Sequence, residues 1–335
     1  MNEYQQAFGF LVNQLARIET QVYEEQFPDV QYPDLVPVDT STSEWIPTIT
    51  HYSRTRTGRP GPISGRGTIF PKVSSERRQH HVAIEMEGLG YDYTLQELMR
   101  SRMLGMDLPS DSARDCRDVV ERRLDEILIY GNKDLGWDSF LYADDSVKSG
   151  RPTAVDADNN GSGSGDAKRY WDNKSATQIL RDINKLLMGI YHDTLTVEMA
   201  DTLLVPPNIW TSVCSKFIDG TNESVFDTIQ KNNVYTKRTG RPLMIRECRG
   251  LEAAGPLASG SNYYGRILAY RKDPSVLRFH IPMPFRFLDP YQHHLLYEVP
   301  GIFSTGGLEI RRPAVFRYLD KIAAPEPRRS FPGLD

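Results

Sequence analysis

Residues 109–131 read Pro109-Ser-Asp-Ser-Ala-Arg-Asp-Cys-Arg-Asp-Val-Val-Glu-Arg-Arg-Leu-Asp-Glu-Ile-Leu-Ile-Tyr-Gly131, and this stretch decides the fold class. Cys116, Val119, Val120, Leu124, Ile127 and Leu128 recur at helical spacing and form one apolar stripe. Asp118 and Arg122 stand four apart, a favourable order for a helix-surface pair, and Gly131 supplies a stop. The spacing predicts a helix over 111–130, about 30 Å long at 1.5 Å per residue. A helix of that length can act as a structural spine for shorter elements.

The text before it is of a different kind. Val82, Ile84 and Met86 alternate with Ala83, Glu85 and Glu87, a short strand closed by Gly88 and Gly90. Thr94 followed by Glu97 opens a short helix with a capping box. Further upstream, residues 28–75 carry prolines at 28, 33, 37, 47, 60, 62 and 71, and Gly58, Gly61, Gly65 and Gly67 cluster with Arg54, Arg56, Arg59 and Arg66. Proline removes backbone donors and glycine costs extra ordering entropy, so neither a compact helix nor a central strand is expected there. Trp45, Ile46, Tyr52, Ile63, Ile69 and Phe70 are nonetheless too apolar for a plain disordered linker. A long extended hairpin or loop fits, and a loop of that size is usually functional. Residues 4–27 read as an amphipathic helix through Phe8, Leu11, Leu15, Ile18 and Val22. Periodicity leaves open whether it faces the chain's own core or packs as an arm on a neighbouring chain.

Downstream, residues 143–168 are polar and Gly/Ser-rich and read as a solvated internal boundary. Helices are expected around Ile179–Ile190, Ile209–Val213 and Val225–Ile229, and strands at Leu203–Val205, Leu243–Ile245 and Ile267–Tyr270. Gly250–Gly265 reads as a small-residue loop. Leu277, Phe279 and Ile281 alternate with Arg278 and His280, which places His280 on an outward sheet face; Leu308 and Ile310 alternate likewise, and Val315–Leu319 closes the set. Pro325–Asp335 reads as a frayed tail. Two mixed α+β lobes result.

The 335 residues suit about two domains. A net charge of −4 provides no global basic field for nucleic acid. No apolar run approaches the ~20 residues of a membrane helix, and the first residues lack the order of a secretion signal. Three widely spaced cysteines, Cys116, Cys214 and Cys248, indicate neither a disulfide framework nor a cysteine zinc site. Asp156-Ala-Asp158-Asn-Asn160-Gly161 begins like a calcium loop, but Ala167 stands where a bidentate Glu is required. There is no Gly-x-Ser-x-Gly elbow, no His-Glu-x-x-His and no phosphate loop, so no catalytic, cofactor-binding or metal residue is assigned. His51, Tyr52, Arg54, Arg56, Arg59 and Arg66 form a local basic, partly aromatic cluster. Phosphate contact with base stacking is one use for it; pairing with carboxylates on another subunit suits arginine better.

Taken in order, the strings Gly90-Tyr-Asp-Tyr-Thr-Leu-Gln-Glu-Leu98, Ile129-Tyr-Gly-Asn-Lys-Asp-Leu-Gly-Trp137, Leu204-Val-Pro-Pro207, Leu268-Ala-Tyr-Arg-Lys-Asp-Pro274, Ile281-Pro-Met-Pro-Phe285, Gly306-Gly-Leu-Glu-Ile-Arg-Arg-Pro313 and Phe316-Arg-Tyr-Leu-Asp-Lys-Ile322 resemble a tailed-phage major capsid protein of the Hong Kong 97-type fold, in the branch related to encapsulins. The resemblance implies an N-terminal arm (1–44), an extended E-loop (45–81), a peripheral domain (82–164) with the spine helix 111–130, an axial domain (165–275), peripheral return strands (276–312), and a last axial strand with the tail (313–335). It also implies a structural shell subunit, without enzymatic activity or cofactor, that builds homo-pentamers and homo-hexamers into an icosahedral shell around double-stranded DNA held without sequence-specific binding. Portal, decoration or scaffold proteins are the further partners it implies, and the virion, assembled in the host cytoplasm, the location. Trp45, Tyr52, Arg54, Arg56, Arg59 and Arg66 are then the inter-subunit contact candidates, since Arg and aromatic residues suit interface anchors. An encapsulin-like compartment enclosing a cargo enzyme shares this fold. A two-domain hydrolase or sugar-binding enzyme is the alternative from a different class.

Overall fold

The computed structural model describes residues 29–61, 71–104, 108–143, 152–218 and 223–328. The amphipathic helix expected over 4–27 and Arg66 lie outside these.

The long helix forms where its stripe demands. Helix α3 (Leu108–Tyr130) buries Cys116, Val120, Leu124, Ile127 and Leu128, while Val119 is half-buried. It begins three residues before the expected start and ends where Gly131, at φ +64°, donates its N–H to the Ile127 carbonyl at 2.9 Å. One buried acid interrupts the apolar stripe. Asp125 accepts the backbone N–H groups of Gln31 and Tyr32 at 3.1 and 2.8 Å, and so fixes the start of the short helix α1 (Tyr32–Leu35) against the spine. Helix α2 (Leu95–Leu104) opens with the expected box: Thr94 N–H and hydroxyl donate to Glu97, and Glu97 N–H returns to the Thr94 hydroxyl.

Three small sheets lie on this side of the molecule. The first runs β1 (Val38–Asp39), β12 (Leu277–His280), β17 (Gly307–Ile310), with a parallel and then an antiparallel pairing. The second is antiparallel, β13 (Met283–Phe287), β16 (Gly301–Thr305), β4 (Glu85–Gly88), and the third is β14 (Tyr291–His293), β15 (Leu296–Val299), β5 (Tyr91–Thr94). Outside all of them stands a two-stranded ribbon, β2 (Thr48–Thr57) with β3 (Ser74–Ala83), paired over ten residues from Thr48↔Ala83 to Thr57↔Ser74. The strand expected over Val82–Met86 is therefore two strands broken at Ile84.

The other side is a five-stranded sheet in the order β6 (Thr153–Asp156), β18 (Arg317–Asp320), β11 (Arg266–Tyr270), β7 (Thr202–Val205), β8 (Met244–Glu247). Its central strands β7 and β11 are buried throughout. Helix α4 (Ala176–Asp193) lays Ile179, Ile183, Leu186, Leu187 and Ile190 into the core; α5 (Pro207–Ser215), α6 (Val225–Asn232) and α7 (Val234–Thr239) follow. The sequence reading expected only the helix around Val225–Ile229 and passed over α7, which Asn233 caps by accepting the Thr236 N–H at 2.7 Å. Arg266 and Asp320 pair bidentately inside the sheet at 2.6 and 3.0 Å. Charge-assisted pairs of this kind are the strong ones, and here both partners are buried.

Two expectations are corrected. The polar stretch 143–168 is not simply a solvated linker: β6 pairs parallel with β18, and Ala157 is fully buried. Its few apolar residues are enough because an edge strand needs only one face covered. The 250–265 loop contains β9 (Leu257–Ser259) and β10 (Asn262–Tyr263), and the supposed frayed tail adds β19 (Glu326–Pro327) to them. The buried residues form one continuous cluster that includes Phe140, Tyr270 and Phe316, whose rings lie 5.3–6.1 Å apart.

The buried pair Lys174–Asp182, at 2.5 Å, pins the 157–174 stretch to α4, with the Trp171 indole also donating to Asp182 at 3.2 Å. Asp182→Ala leaves Lys174 uncompensated and is expected to cost about 3–5 kcal/mol in urea unfolding of the full chain. Gly307 has φ +63°, and a Cβ there would stand 2.4 Å from the Trp137 ring. Gly307→Ala is expected to destabilise the chain by at least about 1–3 kcal/mol in the same assay.

Candidate assembly interface

The β2/β3 ribbon carries Tyr52, Arg54 and Arg56 of the contact candidates singled out in the sequence. Side chains along a strand alternate between faces, so Tyr52, Arg54 and Arg56 share one face of β2. Register adds their partners from β3: Gln79 opposite Tyr52, Arg77 opposite Arg54, and Ser75 opposite Arg56. Arg77 was missed from sequence, although the Arg77-Arg78 doublet was a visible sign. Like charges directly opposite each other on a ladder are destabilising, so the Arg54/Arg77 pair weakens the free ribbon and calls for anionic groups from outside it. Tyr52 is 66% exposed on this face, and Arg54, Arg56 and Arg77 are exposed too.

Arg59 is exposed beyond the end of β2, and Trp45, 65% exposed, precedes the strand. The structure thus gathers Tyr52, Arg54 and Arg56 on one face and leaves Trp45 and Arg59 off the ladder. Val73, immediately before β3, adds an exposed apolar group that sequence reading passed over. A two-stranded ribbon is at best marginally stable alone. Beyond His51 on β2, and before Val82 on β3, every described ribbon residue is exposed.

At its inner end the ribbon is anchored. The Trp137 indole donates to the Ala83 carbonyl at 2.8 Å, and Ile84 N–H donates to the Pro47 carbonyl at 3.0 Å. On the face opposite to Tyr52, the His51 imidazole meets the Glu309 carboxylate of β17 and stacks on His80, ring centroids 4.8 Å apart and nearly parallel. Glu309 is only 4% exposed and is also held by His280 at 2.9 Å and Arg311 at 3.0 Å. His280 is therefore buried, contrary to the outward position that strand alternation suggested. Alternation marks a face as different from its neighbour; it does not say that the polar face is wet. Burial pushes the Glu309 carboxyl up, but the His280 hydrogen bond, Arg311 and His51 together hold it below the usual glutamate range. Burial, with help from Arg311, His80 and His280, keeps His51 below the usual histidine range against the pull of Glu309.

The acids of the calcium-like stretch meet cations of the chain itself: Asp156 pairs with Arg169 at 3.4 Å and Lys321 at 3.1 Å, and Asp158 with Lys185. Among the described residues no group of three or more His, Cys, Asp or Glu side chains is placed to hold a metal ion, and no helix is long and apolar enough to cross a membrane.

Comparison with known proteins agrees with this geometry. The family model described as major capsid protein matches residues 58–322, most of the chain. No curated protein sequence matches. Among solved structures, the capsid of Myoviridae phage XM1 is 16% identical with a TM-score of 0.70, over 92% of this chain and 97% of that one. The capsid of a native GTA particle is 12% identical with a TM-score of 0.59, over 92% and 95%. A chain from Microbacterium phage Oxtober96 is 12% identical with a TM-score of 0.55, over 92% and 97%. With the family model spanning both sheet groups and the spine helix, and these likenesses running nearly end to end, the chain belongs to the major capsid protein family and has the α+β, Hong Kong 97-type fold of tailed-phage capsids.

Proposed function

We propose that this chain is the shell subunit of a phage head: copies of it form pentamers and hexamers that close into an icosahedral container for double-stranded DNA, within a virion assembled in the host cytoplasm. Its role is mechanical. The family and the capsid likenesses support a structural protein, and the ribbon is the observation that carries the reading further. A ten-rung hairpin with a like-charged arginine pair gains nothing from standing alone in water. Ordering its backbone costs about 1–2 kcal/mol per residue, and only contact with further surface offsets that.

In this reading residues 1–44 are the arm, 45–81 the E-loop, 82–164 and 276–312 the peripheral domain, and 165–275 with 313–335 the axial domain and tail. Trp45, Tyr52, Arg54, Arg56, Arg59 and Arg66 supply contacts to neighbouring copies, joined by Arg77. The arginine face takes carboxylates, for which the guanidinium fork is suited bidentately. A net charge of −4 agrees with a wall that encloses DNA without gripping it, because tight binding to phosphates needs many basic contacts. A portal and scaffold or decoration proteins are the further partners such a shell requires.

Electron microscopy of the purified protein tests the class: closed particles or ring-shaped capsomers are expected, and nuclease-protected DNA inside particles purified from infected cells separates a genome container from a cargo compartment. A population that stays monomeric at high concentration overturns the reading. The double variant Arg54→Glu with Arg56→Glu tests the ribbon. Its unfolding free energy as a subunit should stay within about 0.5 kcal/mol of the parent, as for other surface changes. The concentration needed for assembly should rise about tenfold or more, which corresponds to some 1.4 kcal/mol of lost contact.

A further inference from the structure

The side-chain cluster under the ribbon has a property that the shell reading does not require. Glu309 sits at the meeting point of three elements. His51 reaches it from β2, His280 from β12, and Arg311 follows it at the end of its own strand. From β3, His80 stacks on His51, while His81 turns to Thr50 at 3.1 Å. From β1, Asp39 lies 3.8 Å from His280 and accepts from Arg278 at 2.8 Å. Among the described residues His51 is the outermost residue of β2 that is not exposed, and it meets Glu309 of β17. The contact adds to the Trp137–Ala83 and Ile84–Pro47 hydrogen bonds that seat the base of the ribbon.

We propose that the His51–Glu309 contact is an acid-released latch: it holds the base of the β2/β3 ribbon against the β1–β12–β17 sheet at neutral pH and lets the ribbon swing free when the pH falls.

The sign follows from the surroundings of each group. In the docked state burial, Arg311, His80 and His280 oppose a charge on His51, and outweigh the attraction of Glu309. Released into water, the same imidazole returns to its ordinary value of 6.5. A histidine depressed on docking favours the docked form above that value and penalises it as the pH falls below. Glu309 acts in the same direction at lower pH, since the part of its depression that His51 supplies is lost on release and its ordinary value is 4.5. Asp39 does not take part in this range. Burial pushes its carboxyl up, but hydrogen bonds from Ser41 and from the Arg278 guanidinium, with the electrostatic pull of His280, bring it to about 2.

The test uses the full unassembled chain and hydrogen exchange, corrected for the intrinsic rate, at about pH 7.5 and about pH 5.5, either side of the ordinary histidine range. Amides of Thr48–Tyr52 and Gln79–Ala83 are expected to lose about threefold or more of their protection at the lower pH, while Thr202–Val205 of β7 stays unchanged. His51→Asn keeps a neutral N–H near the Nδ1 position and should flatten the response. His81→Gln, on the far face, should keep it. A flat response in the parent chain, or an unchanged response in His51→Asn, overturns the latch. Titration of His51 by NMR decides independently of any variant: a midpoint below 6.5 in the folded subunit supports it, and one at or above 6.5 refutes it. Because every readout is taken before assembly, failure here leaves the shell reading untouched, and failure to form particles leaves the latch untouched.

Discussion

The constraint on which the structure turns is the seating of one long helix. Its apolar stripe can be buried only if strands from distant parts of the chain are brought to it, and the single acid in that stripe, Asp125, then has to be satisfied. The N–H groups of Gln31 and Tyr32 satisfy it, together with Arg249 at 3.4 Å. A buried carboxylate without such partners would be strongly destabilising. Segments 31–39 and 249 are thus drawn to the helix by electrostatic need, and α1 and β1 take their places because of it. Tyr270 completes the arrangement by donating to the Leu35 carbonyl at 2.5 Å from the middle of the five-stranded sheet.

Against this well-satisfied interior, the ribbon is an exception that the fold tolerates. Ten residue pairs stand in register with each other, and among the described residues no third strand joins them. The anchor at its base is dense, with Trp137, Gly307, His51 and Glu309 all within a few residues of one another on adjacent elements. The ribbon is thus held at its root and, among the described residues, exposed along its blade.

Much of this could be read before the structure. The spine helix, the Thr94 capping box and the strands at 202–205, 266–270 and 277–280 follow from periodicity and from local hydrogen-bond chemistry, which a sequence records directly. What escaped was whatever depends on a partner far along the chain. His280 looked like an outward residue because its strand alternates, and only the approach of Glu309 and His51 makes its position dry. Thr153–Asp156 looked like linker because it is short of apolar residues, and only β18 turns it into a sheet edge. Tyr52, Arg54 and Arg56 were legible as a cluster, whereas the addition of Arg77 to their face depends on a register that sequence spacing alone does not set.

The place of β18 in the five-stranded sheet bears on how the molecule is made. Arg317–Asp320 lies between β6 and β11, paired with strands that precede it by more than a hundred and by some fifty residues. During synthesis the sheet must wait with a gap in its middle until residue 320 has left the ribosome, and contacts so remote in sequence are slow to form. A polypeptide truncated before that strand would leave β6 without its partner and one edge of β11 bare, with backbone donors and acceptors unpaired on both.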